Sequence, residues 1–142
     1  ETVHHTELLA DLLRTGKLKA LKDVAGELTF HDPCYLGRHH GEYDAPRDIL
    51  KAIPGVKLTE MKKSKDTALC CGMGGGNMWY ELPEGKHLAE NRLEQIGETK
   101  APKLATSCSY CMINFNSSKG HVATTENLQV EDVASILAKS VL

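Results

Sequence analysis

Leu8, Leu9, Leu12 and Leu13 recur at the three- and four-residue spacing of an amphipathic helix over Glu7–Leu13, and Leu18 and Leu21 continue the apolar pattern. Thr6 stands where an N-cap belongs and Gly16 where the helix should stop. Glu27–Phe30 is short and β-prone and runs into the turn His31-Asp32-Pro33, so it reads as a strand ending at a loop that carries Cys34. Ala45–Ala52 is a short helix, with Asp44 as N-cap and Pro46 in the first turn, where a missing N–H costs nothing; Pro54-Gly55 ends it. Val56–Met61 alternates as a second strand. Lys86–Gly97 puts Leu88, Ala89, Leu93 and Ile96 on one helical face, Lys103–Thr106 is a third strand, and Met112–Ser118 starts another helix. Val130, Val133, Ile136 and Leu137 predict a last helix over Gln129–Leu142, preceded by a short edge strand at Glu126-Asn127-Leu128. Strands alternating with helices predict an α/β layered domain with a mostly parallel sheet flanked by helices.

In such sheets ligands bind at the carboxyl ends of the strands. Cys34 and Cys108 each follow a strand directly, so topology alone brings them to one rim. Cys70 and Cys71 join them there if Thr67–Leu69 is an extended approach. The chain has 142 residues, enough for one domain that buries about 68–70% of its unfolded surface and folds without staples. Its 17 basic and 19 acidic residues leave no basic footprint for nucleic acid and no polybasic patch for a membrane. No apolar run reaches the roughly 18–20 residues of a membrane span, so no membrane insertion by this segment is expected. The first residues lack a signal peptide's basic and apolar regions. They also lack an initiator Met, and the chain reads as an excised piece, the C-terminal part of a longer protein. Five cysteines, an odd count without secretory features, point to reduced thiols in a cytoplasmic setting, where such sets serve metals or catalysis.

The densest chemistry lies in Thr67–Tyr80, where Cys70-Cys71 opens a loop with Gly72, Gly74, Gly75 and Gly76. Adjacent cysteines suit a disulfide poorly. They suit a metal centre if the backbone bends sharply, which glycine permits, and if backbone N–H groups reach anionic sulfur. The full spacing is Cys34, thirty-five residues, Cys70-Cys71, thirty-six residues, Cys108, two residues, Cys111. A lone C-x-x-C serves zinc, iron or a redox dithiol equally. Buried structural thiols and a Cys108–Cys111 disulfide switch are weaker accounts of the whole pattern. A phosphate cradle is weaker too, since the Lys-Ser/Thr of a P-loop is missing and Asn77 falls where the last Gly of G-x-G-x-x-G would be. Five thiolates exceed what tetrahedral zinc normally takes and favour iron; a four-cysteine zinc site stays open.

The array resembles the cysteine-rich CCG domain family. The resemblance rests on His31-Asp32-Pro33-Cys34-Tyr35-Leu36-Gly37-Arg38 with Tyr43, Pro46 and Arg47, on Cys70-Cys71-Gly72-x-Gly74-Gly75, and on Ser107-Cys108-x-x-Cys111. It implies one CCG domain over residues 1–142 of a larger heterodisulfide reductase-like or flavoprotein-linked oxidoreductase. It implies an iron–sulfur cluster, of the non-cubane 4Fe-4S kind, on Cys34, Cys70, Cys71, Cys108 and Cys111, with zinc as the alternative found in some relatives. Electron transfer or disulfide reduction is the implied activity. A zinc-bearing structural or docking module of a dehydrogenase complex is the alternative. The implied partners are other iron–sulfur or flavoprotein subunits and a second CCG domain in the full-length protein, through which the domain would sit peripherally at the cytoplasmic membrane face.

Around the cysteines, Arg38 is the candidate substrate-binding residue. Arg38 and Arg47 are each suited to a substrate carboxylate or the cluster's charge, or to an ordinary ion pair. His31, His39 and His40 lie near Cys34 in sequence, as ligand or proton donor, or more plainly as supporting or surface residues. Asp32 is first a turn residue and second a proton relay. Trp79 is expected to pack over the glycine loop, and His4, His5, His87 and His121 are expected to be incidental.

Overall fold

The computed structural model describes residues 2–80 and 85–141. Helix α1 (His5–Arg14) starts at a cap made by His4, not Thr6. The His4 ring accepts from the Thr6 N–H while Glu7 Oε2 accepts the His4 N–H at 3.0 Å, a reciprocal capping box. Strand β1 (Gly26–Phe30) and helix α2 (Ala45–Ala52) lie where the sequence puts them. The α2 start, however, is capped by Glu42, whose Oε1 accepts the Asp44 and Ala45 N–H groups at 2.7 and 2.6 Å; the Asp44 side chain makes no cap bond. Strand β2 is only Val56–Leu58, and Met61 leaves the ladder to sit buried in the core. Helix α3 (Leu88–Glu98), strand β3 (Lys103–Thr106) and helix α4 (Ser109–Ser118) follow.

The C-terminal segment corrects the sequence reading. Residues 126–128 form a turn, Gln129–Asp132 is strand β4, and helix α5 begins only at Val133 and runs to Val141. Val130 and Val133 fit a helical spacing, but pairing of all four residues 129–132 with β3 satisfies backbone groups that a longer helix would expose. Asp132 Oδ1 then accepts the Ala134 N–H at 2.8 Å and caps α5.

The four strands are all parallel, in the order β2-β1-β3-β4. Successive strand residues face opposite sides, and both sides are covered. Leu28, Phe30 and Ala105 pack with Ile49 and Leu50 of α2 and Ile136 and Leu137 of α5 on one face. Leu104 packs with Leu93 and Ile96 of α3 and Phe115 of α4 on the other, and Cys71 and Cys111 belong to that second core.

The loop after β1 is tied down by a buried ion group. Arg47 on α2 holds Asp32 with two hydrogen bonds, 2.6 and 3.0 Å, and Glu60 with two more, 2.6 and 2.9 Å. Its guanidinium lies 5.0 Å from the Phe30 ring centre, and Asp32 Oδ2 also accepts the Lys65 N–H at 2.8 Å. Burial opposes the charge on Arg47, but its bonds to Asp32 and Glu60 outweigh that and hold it protonated. Arg47 and Asp32 are therefore structural residues of the loop. Replacing Arg47 by Met strands a buried Asp32 carboxylate and should cost about 3–5 kcal/mol. Urea denaturation checks this; the double variant Asp32→Leu/Arg47→Met should lose clearly less than Arg47→Met alone.

Candidate metal centre

Three segments deliver the five thiols to the carboxyl edge of the sheet. Cys34 follows β1 through His31-Asp32-Pro33 and leads into a π-helical turn, Tyr35–His39. In that turn Gly37 lies so close to Tyr43 that a Cβ would stand 2.4 Å from the phenol ring, so nothing larger fits. Cys70 and Cys71 arrive from a 3-10 turn, Lys65–Thr67, by way of Ala68 in extended conformation. Arg38 Nη2 donates to the Ala68 carbonyl at 2.6 Å and fixes that approach. Gly72 has φ +89°, and a Cβ there would fall 2.7 Å from Leu88 Cβ; the residue after the paired cysteines must be glycine on both counts. Cys108 is the extended N-cap residue of α4, and Cys111 lies one turn into that helix. Asn114, one turn further, donates to the Cys71 carbonyl at 2.7 Å and locks the two segments together.

Cys70 Sγ lies 4.0 Å from Cys34 Sγ, and Cys111 Sγ lies 3.4 Å from Cys71 Sγ. These contacts pair four of the thiols through the adjacent cysteines, and Cys108 joins them through its hydrogen bond with Cys111. Among the described residues, the trio of possible ligands whose donor atoms all lie within 4.8 Å of one another is His31, Cys71 and Cys111; no three thiols are that close together. Cys71 and Cys111 are buried, whereas Cys34, Cys70 and Cys108 are half-buried, so the array has a dry edge and a wet one.

The surroundings separate the thiols chemically. Cys108 is lowered to about 6, chiefly by the hydrogen bond from Cys111, with the backbone N–H groups of Cys111 and Tyr110 adding to it against burial. Cys71 is lowered to about 7, again first by Cys111, with the Met73 N–H helping. Cys111, the donor to both, is pushed far up. Burial raises Cys70, although the Gly72 N–H reaches its sulfur at 3.3 Å. Cys108 is therefore the most readily ionised of these thiols, with Cys71 next.

The other candidates divide. His31 is fully buried beside Cys71 and Cys111, with Arg92 Nε donating to its Nδ1 at 3.2 Å. His39 lies on the surface against the Tyr35 ring, and His40 lies 3.2 Å from Glu7. Trp79 does not pack over the glycine loop: it is 83% exposed. A Cβ at Gly74, Gly75 or Gly76 would meet nothing within 4 Å, so this part of the loop borders open space. His4 is not incidental but caps α1. Sequence reasoning missed Arg92, which is fully buried. Its signal was an arginine inside the apolar stripe Ala89, Leu93, Ile96.

A family model described as the cysteine-rich domain CCG matches residues 28–116, a span that includes all five cysteines, His31 and Arg92. The chain is 42% identical, over 100% of its length, to the probable iron-sulfur-binding oxidoreductase FadF of Bacillus subtilis, of which it covers 20%. It is 38% identical, over 99% of its length, to the EtfAB:quinone oxidoreductase of Syntrophomonas wolfei, of which it covers 20%. It is 40% identical, over 99% of its length, to one subunit of the dihydromethanophenazine:CoB–CoM heterodisulfide reductase of Methanosarcina barkeri, and it covers 34% of that subunit. The chain thus spans a fifth to a third of these relatives. No solved structure matches it.

In the metal-free chain, iodoacetamide at pH 7 should label Cys108 well before Cys111. A lowered pKa means more thiolate at a given pH, so labelling of Cys108 should climb through pH about 6 and level off above 7. An ordinary thiol climbs only near about 8.5. Peptide mass spectrometry across a pH series reads both.

Proposed function

The chain belongs to the cysteine-rich CCG domain family, and on that premise we propose that it is the iron–sulfur-binding domain of a larger oxidoreductase. Cys34, Cys70, Cys71, Cys108 and Cys111 would hold a cluster of the non-cubane 4Fe-4S kind. The observation that carries this reading is the shape of the thiol array. Four thiolates around one zinc ion, with bonds of about 2.3 Å, lie about 3.8 Å apart on every edge. Here the thiols touch in pairs along a chain, and no three lie within 4.8 Å of one another, the spread a multi-atom centre needs. The names of the relatives support the same reading, as an iron-sulfur-binding oxidoreductase and a heterodisulfide reductase subunit.

When bound, such a cluster supplies single electrons, one at a time, at an edge that a disulfide can approach. The chain's own residues do the rest. The N–H groups of Gly72, Met73, Tyr110 and Cys111 stabilise sulfur anions. The first turn of α4 places its unpaired N–H groups beside Cys108. Leu93, Ile96 and Phe115 exclude water from the Cys71–Cys111 edge. Cys34, Cys70 and Cys108 are half-buried, and of these Cys108 lines a hollow of about 810 Å³ walled by Pro33, Tyr35, His40 and Asp132. Disulfide reduction or electron transfer at the half-buried thiols is the activity, and Arg38, at the same rim, is the candidate contact for an anionic substrate. The partners are iron–sulfur or flavoprotein subunits and a second CCG domain in a larger, cytoplasmic protein of which this chain is one part. No helix of the described residues is long and apolar enough to cross a membrane.

Anaerobic reconstitution with iron and sulfide, followed by metal analysis and EPR, tests this. The expected product is brown and contains iron and acid-labile sulfide. Colourless protein with stoichiometric zinc and no sulfide would sink the reading in favour of a zinc-bearing structural module. Cys70→Ser should cut iron content severalfold, whereas His39→Ala, exposed and turned to Tyr35, should leave it unchanged.

A further inference from the structure

Arg92 is a buried cation without a carboxylate. Its side chain is fully buried, and its partners are neutral: His31 Nδ1 at 3.2 Å, the Lys63 carbonyl at 2.7 Å and Gln95 Oε1 at 2.7 Å. Among the described residues its Nη2 has no partner. Buried charges are almost always paired, because an unpaired one costs several kcal/mol or more. Asp32, the buried carboxylate of this region, is already taken by Arg47 and the Lys65 N–H. Burial lowers Arg92 to about 10, against the field of Asp32, which leaves it charged at neutral pH.

That cation fixes the chemistry of His31. An arginine N–H only donates, so Nδ1 of His31 must present its lone pair. With Nδ1 accepting from Arg92, the ring carries its one N–H at the other nitrogen, Nε2. This N–H is buried and has no partner among the described residues. The His31 ring stands edge-on to Phe115 at 4.8 Å, which fixes its plane, and a ring nitrogen lies within 4.8 Å of the Cys71 and Cys111 sulfurs. The main chain of His31 is also held, its N–H donating to the Ala105 carbonyl at 2.9 Å. An unanswered donor, backed by an unbalanced positive charge, thus faces the dry edge of the thiol array. Both deficits have the sign that an anionic sulfur centre would satisfy.

We propose that His31 Nε2–H donates a hydrogen bond to sulfur at the Cys71–Cys111 edge of the centre, and that Arg92 is the positioning residue that fixes this tautomer and supplies the balancing charge. The proposal rests on the cluster-binding reading. His31 is then a donor and not a ligand. Ligation through Nε2 would need the lone pair there and the hydrogen on Nδ1, where it would point at the Arg92 Nε–H 3.2 Å away, donor against donor. A hydrogen bond to sulfur and a nearby cation both favour the more negative, reduced state, so both raise the reduction potential.

The test uses the full-length protein, reconstituted anaerobically, with iron counting and EPR-monitored redox titration. In His31→Leu the iron content should equal wild type, while the midpoint potential falls and the EPR line shape shifts. His31→Gln, which keeps an N–H donor, should recover part of the potential, and Arg92→Gln should lower it with iron retained. Pulsed EPR on unmutated protein labelled with 15N-histidine needs no variant to fold. It should show a weakly coupled, exchangeable proton and no directly bound nitrogen. A directly bound histidine nitrogen, or loss of iron in His31→Gln, overturns the donor assignment, as does an unchanged potential in iron-replete His31→Leu. Unmutated protein that takes up no iron overturns the cluster reading and this inference together, which separates that failure from the others.

Discussion

The parallel pairing of β1 with β3 is the constraint from which the site follows. Phe30 stands opposite Ala105, and the ladder ends with the His31 N–H on the Ala105 carbonyl. Two neighbouring strands running the same way must release their chains at the same edge. His31 and Cys34 leave from one, Ser107 and Cys108 from the other, although more than seventy residues separate them. The second core closes the arrangement by seating α3 and α4 against Leu104, which brings Cys111 and the Cys71 backbone to the same place. No local element could do this, because no helix or hairpin spans the distance between Cys34 and Cys108.

Cys71 and Cys111 serve two purposes. They are part of an apolar core with Leu93, Ile96 and Phe115, and they are the inner thiols of the array. A thiol packs as a small hydrophobe, so the core can form before any metal arrives. Once ionised, the same groups would be costly in that setting without N–H donors and positive charge. The structure supplies both: Met73 N–H at Cys71, Tyr110 and Cys111 N–H at Cys108, and the Arg92–His31 pair behind them. The outer thiols, Cys34, Cys70 and Cys108, have water as a further source of solvation.

What the sequence disclosed depended on how many physical readings a pattern admits. Ala45–Ala52 and Lys103–Thr106 were legible because Pro at the helix start and a compact β-prone run each have one reading. The cysteines were legible because their spacing fits one rim of one parallel sheet, and their convergence is seen directly. Val130 and Val133 were not, since their spacing suits a helix and a strand-to-helix junction alike, and only pairing with β3 decides. Caps were misassigned to Thr6 and Asp44 because His4 and Glu42 act through side-chain reach that residue type does not announce. Trp79 was expected to be covered on the rule that large aromatics pack, but the indole is exposed and Gly74–Gly76 border open space. Arg92 was passed over for the opposite reason: an arginine is read as surface, even inside an apolar stripe.

Arg47 and Arg92 show why that last point matters. Both are buried, and both lie near Asp32. Asp32 answers Arg47 with both oxygens and adds the Lys65 N–H, so one carboxylate is saturated holding the loop in shape. Had it turned to Arg92 instead, the loop would lose its anchor and the thiol edge its positive charge. Among the described buried side chains, Arg47, Arg92 and Asp32 leave one positive charge in excess; Glu60, the other partner of Arg47, lies at the surface with its side chain 40% exposed. The excess sits on the Arg92 side, behind His31, which lies against the buried Cys71 and Cys111. A fold selected only for stability would remove that charge or pair it. Its persistence next to a set of ionisable sulfurs is what a centre of negative charge, present in the working protein, would require.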